Sequence, residues 1–459
     1  MKNFRPSESP GGPEGLESWP PRYPRGRCVI AGFGLAMFLS AALASAQPPV
    51  SFSRFDFNFS NPGARSLGFG GAFAALADDA TAAFANPAGL VQLGRPEVSL
   101  EGRLWDRSTS FLAGGRFDGE PTGIGIDTQS GLAFRRDDRR ALGPSFASVV
   151  IPKGRWSFAL YGHQLARLEL AAESQGVFFD DEGNPFAPLG VGRAFVMREK
   201  VDLDIVTAGA AAAWRASDRL SFGLGIIYSQ TSLETESESF LPDDDTALGI
   251  FRRSSFRPDR KLGSSRLSVR GTDLTVNAGV LWRATDRLSA ALVYRQGAHA
   301  EGTDRLVFAP RADYPFPGLE FPGLDATLDA DFRVPDVLGA GLAYRSADGR
   351  LTLASELDRV GYAGLLAVPE SDGVDVGGRE YLDAWEFHAG AEVALLHLQP
   401  VVAFRLGGWV ETKEPLDGAG NRTHLAAGLG VAAKEFQIDL AGDFSSEVDT
   451  FSLSAIYHF

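Results

Sequence analysis

Six histidines, one cysteine and a few serine, glycine and acidic motifs are the residues of this 459-residue sequence whose types could do chemistry. His163, His299, His388, His397, His424 and His458 fall on separate alternating runs or at the ends of such runs. Hydrolysis by a serine nucleophile needs a base beside it and a third polar group to orient that base. The nearest approach to a G-x-S-x-G elbow, Gly143-Pro144-Ser145-Phe146-Ala147, fails at its last position. Each histidine therefore reads as a wall or rim residue, and no enzyme activity is expected. Cys28 is the sole cysteine, which removes disulfide scaffolds, thiolate zinc sites and, if its segment is a cleaved leader, cysteine nucleophiles. Gly68, Gly70 and Gly71 suggest a phosphate loop, but no strand precedes them and no Lys-Ser/Thr follows. The acidic runs Asp180-Asp181-Glu182 and Asp243-Asp244-Asp245 lack the spacing of a calcium loop and read as solvated charge or as contacts to lipopolysaccharide through divalent ions. No metal and no cofactor is expected.

The elements that would position any site show themselves by repetition. Ala208 to Tyr228, Ala278 to Tyr294 and Ala340 to Leu353 echo one another: an alternating run ending in aromatic-Arg, a short polar link centred on Asp, then a second alternating run. Asp and Ser close tight turns through their own backbone, and period-2 flanks are strands, so each unit is a β-hairpin. After Asp218, Leu220, Phe222, Leu224, Ile226 and Tyr228 share one face, opposite Ser221, Gly223, Gly225 and Ser229. Fourteen such runs are expected, near 96–111, 144–152, 155–173, 197–215, 218–233, 265–283, 286–301, 326–345, 349–361, 379–397, 400–412, 421–433, 436–445 and 448–459. Their connections alternate between tight links and longer polar segments. An even strand count, with short turns at one rim and long loops at the other, is the layout of an outer-membrane barrel. The fold class expected is all-β, a 14-stranded antiparallel transmembrane β-barrel. A formal charge of −14 argues against a nucleic-acid partner.

Both ends of the chain fit that compartment. Arg22, Arg25 and Arg27 precede an apolar run from Val29 to Leu43 that closes on Ala44-Ser45-Ala46, so residues 1–46 read as a signal peptide with an extended leader. At the other end Phe451, Leu453, Tyr457 and Phe459 share one face. That pattern resembles the signal that hands bacterial barrels to their assembly machinery.

Residues 47–94 do not alternate, and 95–459 are left for the barrel. The Ala-rich stretch that stops at Asn86-Pro87 predicts a short helix. GARSLGFGGAFAALADDATAAFANPAGL, with Asn86, Pro87 and Ala88 as its Asn-Pro-Ala motif, closely resembles the N-terminal hatch of the FadL/TodX-type outer-membrane transporters of long-chain fatty acids and aromatic hydrocarbons. The run from Val334 (VPDVLGAGLAYRSADGRLTLASELD) is similar to a second landmark of that family. The resemblance implies a fourteen-stranded barrel in the bacterial outer membrane, a short helical hatch plugging the lumen, and passive uptake of a hydrophobic small molecule with release through the side of the wall. The hatch motif also occurs in relatives that dock or shuttle secreted proteins, the alternative function. Expected partners are the ligand, outer-membrane lipid with lipopolysaccharide, and the assembly machinery.

Two sets of residues are candidates for ligand contact. Phe316, Leu319 and Phe321 in one loop, with Phe178 and Phe179 in another, form apolar clusters that either pack on themselves or capture ligand. Arg215, Arg283, Arg345 and Arg405 recur on lumen-facing positions, where a guanidinium fork either grips a ligand carboxylate or pairs with the hatch and with wall acids such as Glu356 and Asp358.

Overall fold

The computed structural model describes residues 59–183, 187–310, 323–367, 383–412 and 421–459. Fourteen antiparallel strands form a closed barrel: β1 Glu97–Gly115, β2 Leu132–Lys153, β3 Trp156–Asp180, β4 Val191–Arg215, β5 Leu220–Phe240, β6 Lys261–Arg283, β7 in two halves (Leu288–Arg295 and His299–Phe308), β8 in two halves (Leu324–Arg333 and Val337–Arg345), β9 Leu351–Val360, β10 Ala384–Leu395, β11 Val401–Thr412, β12 Arg422–Ala432, β13 Phe436–Phe444 and β14 Val448–His458. Closure is made by β1 on β14, from Glu97 opposite His458 to Arg107 opposite Val448. The alternation has the orientation expected: Phe222, Leu224, Ile226 and Tyr228 are exposed on the outer wall, whereas Ser221 and Ser229 are buried inside. Trp156, Trp214 and Phe222 stack side by side near the short-turn rim, the start of an aromatic girdle. Phe451, Leu453, Tyr457 and Phe459 lie on the same outer face, opposite buried Ser452 and Ser454.

Three departures from the sequence reading have physical causes. First, β2 begins 12 residues before the expected 144, and β3 and β5 run on to Asp180 and Phe240, into segments expected to be loops. Along Arg135 to Arg140 of β2 the strand is exposed on both faces, Glu234 to Glu238 of β5 is polar on both, and the end of β3 buries Val177, Phe178 and Phe179 on both; in each case the apolar alternation that marks a strand is lost while the backbone ladder continues. Second, β7 is interrupted at Gln296–Ala298 and β8 at Val334–Asp336, side by side. Pro335 has no N–H to give to a ladder, and Gly297 lies so close to its neighbour that an added Cβ would sit 1.7 Å from the Val334 carbonyl oxygen. Third, the hatch is largely turns: α1 (Ala64–Gly68) and α2 (Ala82–Ala85) have five and four residues, followed by a 3₁₀ turn at Pro87–Gln92. Its alanines serve as small, fully buried packing residues rather than as a continuous helix. The expected leader, 1–46, lies outside the described residues.

Candidate functional site

The Asn-Pro-Ala motif is the centre of the hatch. Asn86 has no exposed surface. Its Nδ2 donates to the Ala74 carbonyl at 2.8 Å, and its Oδ1 accepts the Ala88 N–H at 3.0 Å, capping the 3₁₀ turn that Pro87 starts. The barrel wall is cut to receive it. A Cβ on Gly279 would fall 2.0 Å from Asn86 Oδ1, and one on Gly223 would fall 2.1 Å from the Ala88 nitrogen. Wall side chains then take up hatch carbonyls: Asn277 Nδ2 donates to Phe84 (2.6 Å), Ser221 Oγ to Ala88 (2.9 Å) and Arg215 to Val91. Replacing Asn277 with alanine orphans the Phe84 carbonyl, an expected loss of about 1–2 kcal/mol. Hydrogen exchange at hatch amides checks it, with faster exchange expected there and unchanged exchange in the wall.

Charge holds the opposite side of the hatch. Arg65 of α1 pairs with Asp78, and its Nε lies 3.3 Å from Glu392 of β10. Glu392 also receives Arg405 Nε at 2.7 Å, while Arg405 Nη1 reaches Asp439 at 2.6 Å. Arg345 Nη2 lies 3.0 Å from Asp78. Glu356 accepts the N–H groups of both Phe73 and Ala74 at 2.8 Å, and Glu101 accepts that of Gly63 at 2.9 Å. Within the hatch, burial lifts the Asp79 carboxyl to about 6, against the pull of Arg65 and the hydrogen bonds from Thr81. Of the four arginines singled out in the sequence, Arg345 and Arg405 are engaged with acids and Arg215 with a hatch carbonyl. Arg283 sits half-buried at the short-turn rim, away from this network.

Between hatch and wall lies a small cavity in two adjoining parts, both lined by Phe59, Arg295 and Val337. One part is lined by Phe84 of the hatch, Leu165 of β3, Ile227 of β5, and Ala298, Val334 and Pro335 at the double strand break. The Arg295 guanidinium lies 4.3 Å over the Phe84 ring. The cavity thus reaches two places where the wall ladder is incomplete. At the break, Asp336 accepts the Gly297 N–H (2.8 Å) and the Tyr294 hydroxyl (2.9 Å), and Asp273 accepts the His299 N–H (2.8 Å). Carboxylates thereby replace the strand partners that backbone groups in a membrane wall must otherwise have. At the other place, β2 and β3 pair only from Phe146–His163 to Lys153–Trp156, and a bulge follows at Gln164/Ala166.

The loop candidates fare differently from the hatch motif. Phe178 and Phe179 are not in a loop but at the end of β3, and both are buried, Phe178 against Val191 and Phe251. They form the core of the extended hairpins rather than an open surface. Phe316, Leu319 and Phe321 lie outside the described residues. The acidic runs are solvent-accessible and ion-paired: Asp180, exposed like Glu182, pairs with buried Arg116, and the half-buried Asp244 and Asp245 pair with Arg193 at 2.5 Å and Arg252 at 3.1 Å. Sequence reading missed Phe84, Leu165, Arg295 and Asp336. Of these, Asp336 had a signal, since it stands in the Val334-Pro335-Asp336 landmark.

The chain matches no protein-family model and no curated protein. Solved structures do share its fold. The toluene transporter TbuX of Ralstonia pickettii aligns with a TM-score of 0.57 at 17% identity, over 88% of this chain and 100% of that one. The CymD monoaromatic hydrocarbon channel aligns with a TM-score of 0.59 at 15% identity, over 88% and 99%. The P. putida toluene transporter TodX aligns with a TM-score of 0.56 at 16% identity, over 88% and 99%. The resemblance to FadL/TodX-type barrels read from the hatch sequence is thus matched by the fold as a whole.

Proposed function

We propose that this chain is a bacterial outer-membrane importer that takes up hydrophobic small molecules passively and releases them sideways through the wall. The observation that carries this reading is the small, mainly apolar cavity between Phe84 and the wall, which ends at incomplete strand pairing. An apolar solute gains free energy on leaving water for such a chamber and again on entering bilayer hydrocarbon. Downstream consumption sustains the flux, and no nucleotide is required. Monoaromatic hydrocarbons are the favoured substrates, since the structural neighbours are named for them; long-chain fatty acids are the second class. The outward face of Phe451, Leu453, Tyr457 and Phe459 serves assembly into that membrane.

Filling the chamber tests it. Ala298 is buried at the break and lines the cavity. Ala298→Phe is expected to cut toluene uptake about fivefold, because the added ring occupies ligand space, while heat-modifiable gel migration shows an intact barrel. Undiminished uptake in a folded Ala298→Phe protein would place the route elsewhere.

A further inference from the structure

We propose that Asp358 of β9 and Glu386 and His388 of β10 bind one divalent transition-metal ion where the hatch meets the wall. His388 Nδ1 is 2.7 Å from the Gly70 carbonyl oxygen, so Nδ1–H donates to the hatch backbone and Nε2 is left facing the two carboxylates. Nε2 lies 3.2 Å from Glu386 Oε2 and 3.8 Å from Asp358 Oδ2. A tetrahedral ion with bonds of ~2.0–2.1 Å to nitrogen and oxygen holds its ligand atoms roughly 3.3 Å apart, so small side-chain movements complete the site. A ring whose other N–H is fixed by a carbonyl is how metal-binding histidines are held.

The surroundings of the three side chains suit a bound ion. The charged part of the hatch–wall cavity is lined by these same three residues with Gly70, Gly71 and Trp409, which gives an ion an approach and room for a water as fourth ligand. Asp358 is 9% exposed, and its two oxygens divide: Oδ1 packs against Gly339 of β8, and Oδ2 is turned to His388 as the ligand atom. The donor set of one imidazole and two carboxylates suits zinc or cobalt. Calcium, which takes six to eight oxygens, is disfavoured. The site has a mechanical consequence as well. The His388 ring packs on Gly71, where a Cβ would come within 2.8 Å of Nδ1, so an ion that fixes the ring also ties the Gly70-Gly71 turn to β10.

The test needs no uptake measurement and stands apart from the transport reading. Untagged full-length barrel in detergent, stripped with a chelator, is titrated with Zn²⁺ by calorimetry and with Co²⁺ by absorption. Trp409, stacked on His388 at 5.3 Å, supplies a fluorescence signal. The expected result is one saturable equivalent per chain, with affinity lowered about tenfold or more in His388→Gln and Asp358→Asn and unchanged in His299→Gln, which disrupts the other histidine–carboxylate group, that with Glu301 and Asp331. Heat-modifiable migration confirms folding; should His388→Gln not fold, Asp358→Asn and Glu386→Gln decide. Absence of a saturable equivalent, as when His388 merely carries a second proton, overturns the proposal. So does binding that survives all folded variants of the three residues.

Discussion

Asn86→Ala is expected to abolish selective uptake while leaving the barrel assembled. The substitution removes two hydrogen bonds inside the hatch and strands the Ala74 carbonyl and the Ala88 N–H in a site without water. Each orphaned group costs about 1–3 kcal/mol, and a local loss of about 3 kcal/mol raises hatch opening on the order of 100-fold. The wall is untouched, because its ladders do not run through Asn86. Two measurements separate this from general misfolding. Heat-modifiable migration should be normal, and hatch amides should exchange faster while strand amides do not. Cells carrying the variant should also become sensitive to large antibiotics that the plug ordinarily excludes. A barrel that fails to assemble would instead make the motif a folding element.

Arg405→Ala is expected to be the most destabilising single change. Arg405 is buried between Glu392 and Asp439, and deleting one partner of a buried ion pair costs about 3–5 kcal/mol, since the remaining charges lose their counterion in a dry site. Glu392 would keep Arg65, but Asp439 would keep only the Gln437 amide at 2.7 Å. The temperature at which the barrel loses its folded gel mobility should fall markedly, and adding Glu392→Gln with Asp439→Asn should recover most of it. The same variant distinguishes the two roles considered for this arginine. A structural role lowers fatty-acid and toluene uptake alike. A ligand-carboxylate contact would lower fatty-acid uptake alone.

What was legible in the sequence was what two solvents write into it. Strand faces from Leu220 to Tyr228 and from Phe451 to Phe459 alternate because one side meets lipid and the other a filled lumen. Where both sides meet water, as along Arg135 to Arg140 in β2, that record is lost and the strand reads as a loop. The break at Gln296–Ala298 was equally silent, because three residues without a ladder look locally like three residues of strand. Asn86, Pro87 and Ala88 were found by motif, yet what they rest on was not. Gly223 is required by close approach of the hatch backbone at Pro87-Ala88 and Gly279 by that of the Asn86 side chain, relations between residues more than 130 positions apart. Arg65 and Glu392, separated by 327 positions, pair only because the lumen brings them together. Local patterning predicts the wall; the contents of the wall are set by tertiary contacts.

Import of hydrophobic solutes is read out by uptake in a host lacking its own importer. Cells with and without the protein would be given labelled toluene and labelled oleate at matched surface expression, with a hydrophilic sugar as control. Uptake of toluene, oleate or both is expected to be faster with the protein, with no change for the sugar and loss of the gain in Ala298→Phe. Equal rates for every hydrophobic compound with and without the protein would contradict it.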